Sequence, residues 1–235
     1  MKTLAIESSA HTCSVALVEN QKLLCEVFSN SGLTHSQTLM SMVSNVFDIT
    51  KTDFSTIDSI SVSIGPGSYT GIRIGIAAAK GLAQANNLKC YGISTLEAIA
   101  YNLYGFDCIV CAVMDARCEQ VYTAFFKCNK DSVQRLSTDK AMSASELIQT
   151  IVDSEFEKPI VFAGDGARMF LELSAETLPG LTPSPLSVRF QRAFGVALCA
   201  AAHTDQGFIS AEQLNPVYLR APQAERELKK GRMNI

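Results

Sequence analysis

Gly65-Pro66-Gly67-Ser68-Tyr69-Thr70-Gly71-Ile72-Arg73-Ile74-Gly75 joins a strand-like run, Asp58 to Ile64, to an Ala/Gly-rich helical pattern that reaches Asn86. Glycine permits positive φ and close approach of another backbone, and Pro66 stiffens the turn that aims the next helix's free N–H groups. A turn of this kind either cradles an anion or packs tightly against another segment. No Gly-Lys-Ser/Thr follows, so the string is not a P-loop. A chain built around it needs a strand leading into a helix on the face of a sheet, which is an α/β arrangement.

The remaining pattern repeats that arrangement. Strands are expected at Lys2 to Glu7, Cys13 to Glu19 and Lys22 to Ser29, a helix from Thr34 or His35 to Ile49, then the strand and helix around the glycine string. A strand at Leu88 to Ile93 and a helix from Ser94 or Thr95 to Leu103 follow. The second half begins again, with strands at Cys108 to Met114, Gln120 to Cys128 and Val133 to Ser137, and a helix from Ser143 to Asp153. A strand at Pro159 to Ala163 and a helix from Asp165, its expected cap, to Ser174 complete this half. Two runs of βββαβα predict duplicated domains, 1–103 and 104–235, the second smaller. A Pro-rich loop at Leu178 to Pro185 precedes a closing helix, Leu186 to His203, expected to pack back on the first domain, and an irregular arm after Asn215.

The chain has 235 residues, 47% of them hydrophobic, and a net charge of −3, which describes a globular protein without general attraction to nucleic acid. Basic residues gather only at Arg220, Arg226, Lys229, Lys230 and Arg232. Neither a leader-like N-terminus nor a membrane-length apolar run is present, so the cytoplasm is the expected compartment. The eight cysteines sit largely in apolar runs and are expected to be reduced and buried. Cys108 and Cys111 are three apart on a strand and point to opposite faces, and His11, His35 and His203 form no H-x-x-x-H pair. No metal site and no cofactor are read from the sequence. His35, beside Thr34 and Ser36, has no carboxylate or nucleophile linked to it by spacing, and Asp115 and Arg117 either line the cleft between domains or form a local ion pair at a strand end.

The helices carry a different signal. Projected at about 100° per residue, Leu39, Met40, Met42, Val43, Val46, Phe47 and Ile49 cover roughly half the circumference of the first helix, wider than one sheet contact needs. On the second, Arg73, Lys80 and Gln84 form one polar strip, and Gly71, Gly75, Ala78, Gly81 and Ala85 leave room for a neighbouring helix. Leu39, Met42, Val43, Val46, Ile74, Ala78, Gly81 and Ala85 are therefore the expected interface to a second protein. A self-complementary face of this kind also fits a homodimer.

Ile6-Glu7-Ser8-Ser9, the Gly65 to Gly75 string, Ile93-Ser94-Thr95-Leu96-Glu97-Ala98, Met114-Asp115-Ala116-Arg117 and Asn215-Pro216-Val217-Tyr218-Leu219-Arg220 together resemble the TsaB (YeaZ) family. The resemblance implies the duplicated actin-like (ASKHA, RNase H-like) fold. It also implies a role in forming N6-threonylcarbamoyladenosine at position 37 of tRNAs that read A-starting codons. The implied partners are TsaD, its catalytic paralogue, TsaE as third component, and tRNA through the assembly. The paralogue's histidine pair falls on Thr95 and Ile99, so the resemblance implies no metal there. Its E-T-S-C-D turn reads Glu7-Ser8-Ser9-Ala10-His11, which leaves Ser8, Ser9 and Thr12 as a vestigial phosphate loop. Gly164-Asp165-Gly166-Ala167 falls where such a fold places an adenosine-facing turn. The expected function is a non-catalytic scaffold docked on TsaD. The alternative is an enzyme in its own right, an actin-like ATPase or a metallopeptidase-like glycoprotease homologue.

Overall fold

The computed structural model describes residues 1–156, 158–181 and 183–221. Short apolar runs rich in Leu, Ile and Val make β1 (Lys2–Glu7), β2 (Cys13–Glu19) and β3 (Lys22–Ser29), and Asn20 and Gln21 close the second hairpin with φ of 47° and 67°. With β4 (Ser59–Gly65) and β5 (Lys89–Ser94) they form a sheet of order β3-β2-β1-β4-β5, in which β1, β4 and β5 run parallel. The helices α1 (His35–Thr50) and α2 (Tyr69–Asn86) cover one face. Leu4, Ile6, Leu17, Ile60 and Val62 there meet Leu39, Met42, Val46, Ile72 and Ile76. Left-handed Lys51 and Asn87 end the two helices.

The opposite face carries smaller residues, Ala5 and Ala16, with Tyr91 and Ile93, and α7 (Ala193–Ala202, AFGVALCAAA) fits close against it. Beside α7 lies α3 (Thr95–Tyr101), which also covers the second sheet. That sheet has the order β10-β6-β7-β8: β10 (Ile160–Ala163), β6 (Cys108–Asp115), β7 (Gln120–Cys128) and β8 (Val133–Arg135). Its outer face packs α4 (Ala144–Val152) and α5 (Ala167–Ser174) through Val113, Phe125, Leu147, Phe162 and Phe170. Cys108 and Cys111 fall on opposite faces of β6, as strand periodicity requires.

Three expectations need correction. The strand at 133 stops at Arg135, because the chain turns where the Phe125 N–H bonds the Ser137 hydroxyl, and a short strand β9 (Lys140–Ser143) then pairs with β7. The closing helix is two pieces, α6 (Leu186–Arg189) and α7, with extended Phe190 and Arg192 between them. Tertiary bonds hold that break open: Asn102 donates to the Phe190 carbonyl at 2.8 Å, and Arg192 grips Glu26 at 2.5 and 3.0 Å. Asp165 is not the cap of α5. The N-cap is Gly166, and the Asp165 carboxylate accepts from Gln191 Nε2 at 2.7 Å.

Candidate functional site

The glycine turn at the end of β4 is held by close packing within the chain. Gly65 and Gly67 have φ of +123° and +154°, and a Cβ on them would lie 2.3 Å from the Val217 carbonyl oxygen and 2.2 Å from that of Ser9. Only glycine fits both the backbone and the space. The Ser68 N–H donates to the Ser9 carbonyl at 2.6 Å, and the Val217 N–H donates to that of Ile64 at 2.7 Å. Gly71 and Gly75 continue the contact along α2, where a Cβ would meet the Ser8 carbonyl oxygen at 2.2 Å and the Ser8 hydroxyl at 2.3 Å. Of the two uses such a turn offers, the structure shows packing against the Ser8-Ser9 turn and the Val217 arm.

The Ser8 to Thr12 turn is bonded inward. Ser8 Oγ donates to the Gly71 carbonyl at 2.9 Å, Ser9 Oγ to Glu7 at 2.5 Å, and Thr12 Oγ1 to the Gln191 carbonyl at 3.3 Å. Glu7, wholly buried at the end of β1, gathers the Ser9 N–H, the Ser9 hydroxyl and the Ser63 hydroxyl. Burial pushes its carboxyl above the ordinary value, and those three donors oppose the rise. The hydroxyls singled out for a phosphate are thus committed to the chain itself. His35 bonds the Ala10 carbonyl at 2.8 Å through Nε2, and so staples α1 to the same turn.

Beyond the turn a cleft of about 620 Å³ separates the two sheets, bordered by Ser9, Gly67, Asp115, Arg117, Asp165 and Arg220. Tyr69 and Tyr218 stack across one wall, with ring centroids 4.9 Å apart. Burial raises the Asp165 carboxyl to about 6, against the hydrogen bond from Gln191 and with the help of the Asp115 charge. Of the two readings of Asp115 and Arg117, the structure has both at the cleft and no side-chain ion pair between them. Asp115 Oδ1 instead accepts the Arg117 backbone N–H at 2.7 Å, in a turn where Arg117, Cys118 and Glu119 all have positive φ. Arg220 donates to the Ala116 carbonyl at 2.7 Å. The other members of the basic cluster, Arg226, Lys229, Lys230 and Arg232, lie outside the described residues.

The expected interface set divides in two. Leu39, Met42, Val43 and Val46 face inward, each 5% exposed or less, and belong to the chain's own core. A partner cannot reach them in this fold. The wide apolar arc of α1 has a different cause: its flanks carry Met40, 50% exposed, and Ile49, 65% exposed, on either side of the buried stripe. On α2, Ile74 and Ala78 are half-buried, Gly81 and Ala85 are exposed, and nothing lies within 4 Å of a Cβ placed on Gly81.

A second polar cluster went unforeseen. Thr95 and Ile99 are both fully buried, but Glu97 on the same helix bonds Arg135 through Oε2 and His203 through Oε1, each at 2.7 Å. Arg135 also pairs with Asp139, which accepts from Ser94 Oγ at 2.6 Å. Burial pushes the Glu97 carboxyl up, but the bonds and charges of Arg135 and His203 outweigh it and hold the group below the carboxylate range. The sequence carried one usable signal: Cys199 and His203 are four apart, a C-x-x-x-H spacing at the end of α7.

The chain matches the family model described as TsaD, tRNA N6-adenosine threonylcarbamoyltransferase, over residues 27–227. It is 29% identical over 223 residues to the tRNA threonylcarbamoyladenosine biosynthesis protein TsaB of Escherichia coli, covering 94% of this chain and 95% of that protein. To the TsaB of Bacillus subtilis it is 28% identical, covering 76% and 77%. Among solved structures it is similar to YeaZ from Pseudomonas aeruginosa, with a TM-score of 0.76 at 26% identity over 93% of this chain and 99% of that one. The ethanolamine utilization protein EutJ from Carboxydothermus hydrogenoformans shares the fold alone, with a TM-score of 0.55 at 10% identity over 84% and 90%. The two sheets with their covering helices are the duplicated actin-like (ASKHA, RNase H-like) fold, and the chain belongs to the TsaB (YeaZ) family.

Proposed function

We propose that this chain serves N6-threonylcarbamoyladenosine formation at position 37 of tRNAs reading A-starting codons, as a non-catalytic cytoplasmic subunit that docks on TsaD and organises its site. The observation that carries this reading is the apolar surface left by α1 and α2. Ile74, Ala78, Gly81 and Ala85 offer a small-residue stripe with open space at Gly81, and α1 leaves Met40 and Ile49 exposed on its two flanks. Small residues let two helix backbones approach closely, so a helix pair on TsaD is the fitting occupant. The inward bonding of Ser8, Ser9 and Thr12 supports a non-catalytic role, as do Thr95 and Ile99 at the positions of the paralogue's histidine pair. TsaE joins as the third component, and tRNA contacts the assembly.

Ala78→Arg and Gly81→Arg test the docking. Each is expected to abolish co-purification with TsaD while the lone chain keeps its circular dichroism and melting profile. Undiminished complex in both variants rejects the interface, and a second copy of this chain on the same face would appear as dimer in sedimentation. Purified TsaD and TsaE are expected to modify tRNA only when this chain is added. Equal modification without it rejects the functional assignment.

A further inference from the structure

Glu97 on α3, Cys199 on α7 and His203 at the C-cap of α7 bring a carboxylate oxygen, a sulfur and an imidazole nitrogen within 4.8 Å of one another. They border a cavity of about 560 Å³ between the first sheet and β8, away from the cleft and from the α1–α2 face. Cys199 is fully buried, while the Glu97 and His203 side chains are 14% and 30% exposed. Two donors four apart across a helix end, with a third from a neighbouring helix, suit a tetrahedral site.

We propose that Glu97, Cys199 and His203 form a zinc site, with its fourth coordination position open to this cavity. Mixed O, S and N donors suit Zn²⁺ better than Mg²⁺ or Ca²⁺, which take oxygen ligands. Bonds of about 2.0–2.3 Å set donor atoms about 3.3–3.7 Å apart. The ion therefore replaces the proton shared by Glu97 Oε1 and His203 Nε2, now 2.7 Å apart, and the thiol closes in from the third side.

Charge and orientation support the assignment. Arg135 holds Glu97 by Oε2, which turns Oε1 toward the other two donors, and Asp139 neutralises the guanidinium. With Cys199 as thiolate, the two carboxylates and the thiolate balance Arg135 and a divalent cation, so the loaded cluster is neutral. Cys199 binds as a thiolate, so loading the site releases its proton to solvent. Such a site would pin α3 to α7. It uses none of the residues proposed to meet TsaD, and it stands or falls separately from that reading.

The probe is Co²⁺ added to the reduced, metal-free full chain, with Zn²⁺ as competitor. The expected result is one equivalent of bound Co²⁺ with a sulfur-to-cobalt charge-transfer band and the intense visible bands of four-coordination, both erased by Zn²⁺. Cys199→Ser removes the charge-transfer band, and Cys118→Ser, at the exposed cysteine, leaves it unchanged. His203→Gln, at the partly exposed end of α7, weakens Co²⁺ binding more than about tenfold without disturbing the fold. Absence of the charge-transfer band in the wild-type chain overturns the proposal. So does a band that survives Cys199→Ser, or Co²⁺ affinity unchanged in a folded His203→Gln.

Discussion

Two glycines six residues apart on α2 are expected to respond to one added methyl group in opposite directions. At Gly81 a Cβ meets nothing within 4 Å, so Gly81→Ala acts only on the backbone. Alanine is favoured over glycine in a helix interior by about 1 kcal/mol, and for a chain of this length that raises Tm by about 2–4 °C. At Gly75 the same Cβ lands 2.3 Å from Ser8 Oγ, which is buried and bonded to the Gly71 carbonyl at 2.9 Å. Overpacking costs about 1–3 kcal/mol and the displaced hydrogen bond about 1 kcal/mol. Set against the helical gain, Gly75→Ala loses about 2 kcal/mol, and the variants differ by about 3 kcal/mol. Thermal and urea unfolding of the lone purified chain reads both values. The informative comparison is with TsaD present, where Gly81→Ala, more stable alone, is expected to bind more weakly because the methyl group occupies the space a partner helix needs. A Gly81→Ala chain that melts lower by itself refutes the open surface, and a neutral Gly75→Ala refutes the tight contact with Ser8.

Other outcomes follow from single contacts. Asp165 titrates at about 6 in the folded chain, against 3.8 as its ordinary value, so the folded state holds the proton longer and loses stability as pH rises through that window. At about 1.36 kcal/mol per pKa unit the loss has an upper limit of about 3 kcal/mol. Asp165→Asn keeps an acceptor for Gln191 and is expected to flatten the stability profile between pH about 4 and about 6; a wild-type profile already flat there contradicts the buried carboxyl. Arg192→Ala strands the Glu26 carboxylate, whose side chain is 3% exposed and which also accepts the Phe194 N–H at 3.2 Å. A loss of about 2–3 kcal/mol in urea unfolding is expected, and no change would mean that water satisfies Glu26. Gly67→Ala, at φ +154° and 2.2 Å from the Ser9 carbonyl, is expected to lower the soluble yield sharply, whereas a well-expressed variant would show that the turn can shift.

Local patterning explains what was legible. Apolar runs bounded by polar turns placed Lys2–Glu7, Cys13–Glu19 and Gln120–Cys128 with their observed bounds, because strands buried on both faces carry continuous apolar residues. β9 was missed because Lys140-Ala141-Met142-Ser143 is short and half-exposed, with little apolar signal. The break between α6 and α7 was invisible because Arg192 answers to Glu26, 166 residues away. The glycine turn leaves two uses open in the sequence, because its packing partners, Ser8, Ser9 and Val217, are set by tertiary structure. On α1 the arc is wide because a helix over a sheet can bury Leu39, Met42, Val43 and Val46 and still leave Met40 and Ile49 outside, a division that arc width alone does not reveal. Glu97 and His203 lie 106 residues apart, and only the C-x-x-x-H spacing hinted at their meeting.

The seating of α7 on Ala5, Ala16, Tyr91 and Ile93 has a consequence for synthesis on the ribosome. The segment that finishes the first sheet is made some hundred residues after the last strand of that sheet, β5, which ends at Ser94. Until then the nascent polypeptide carries a naked apolar slab, so an amino-terminal fragment ending near 103 is expected to stick to holdases or precipitate. Supplying 186–221 as a separate peptide should rescue its solubility.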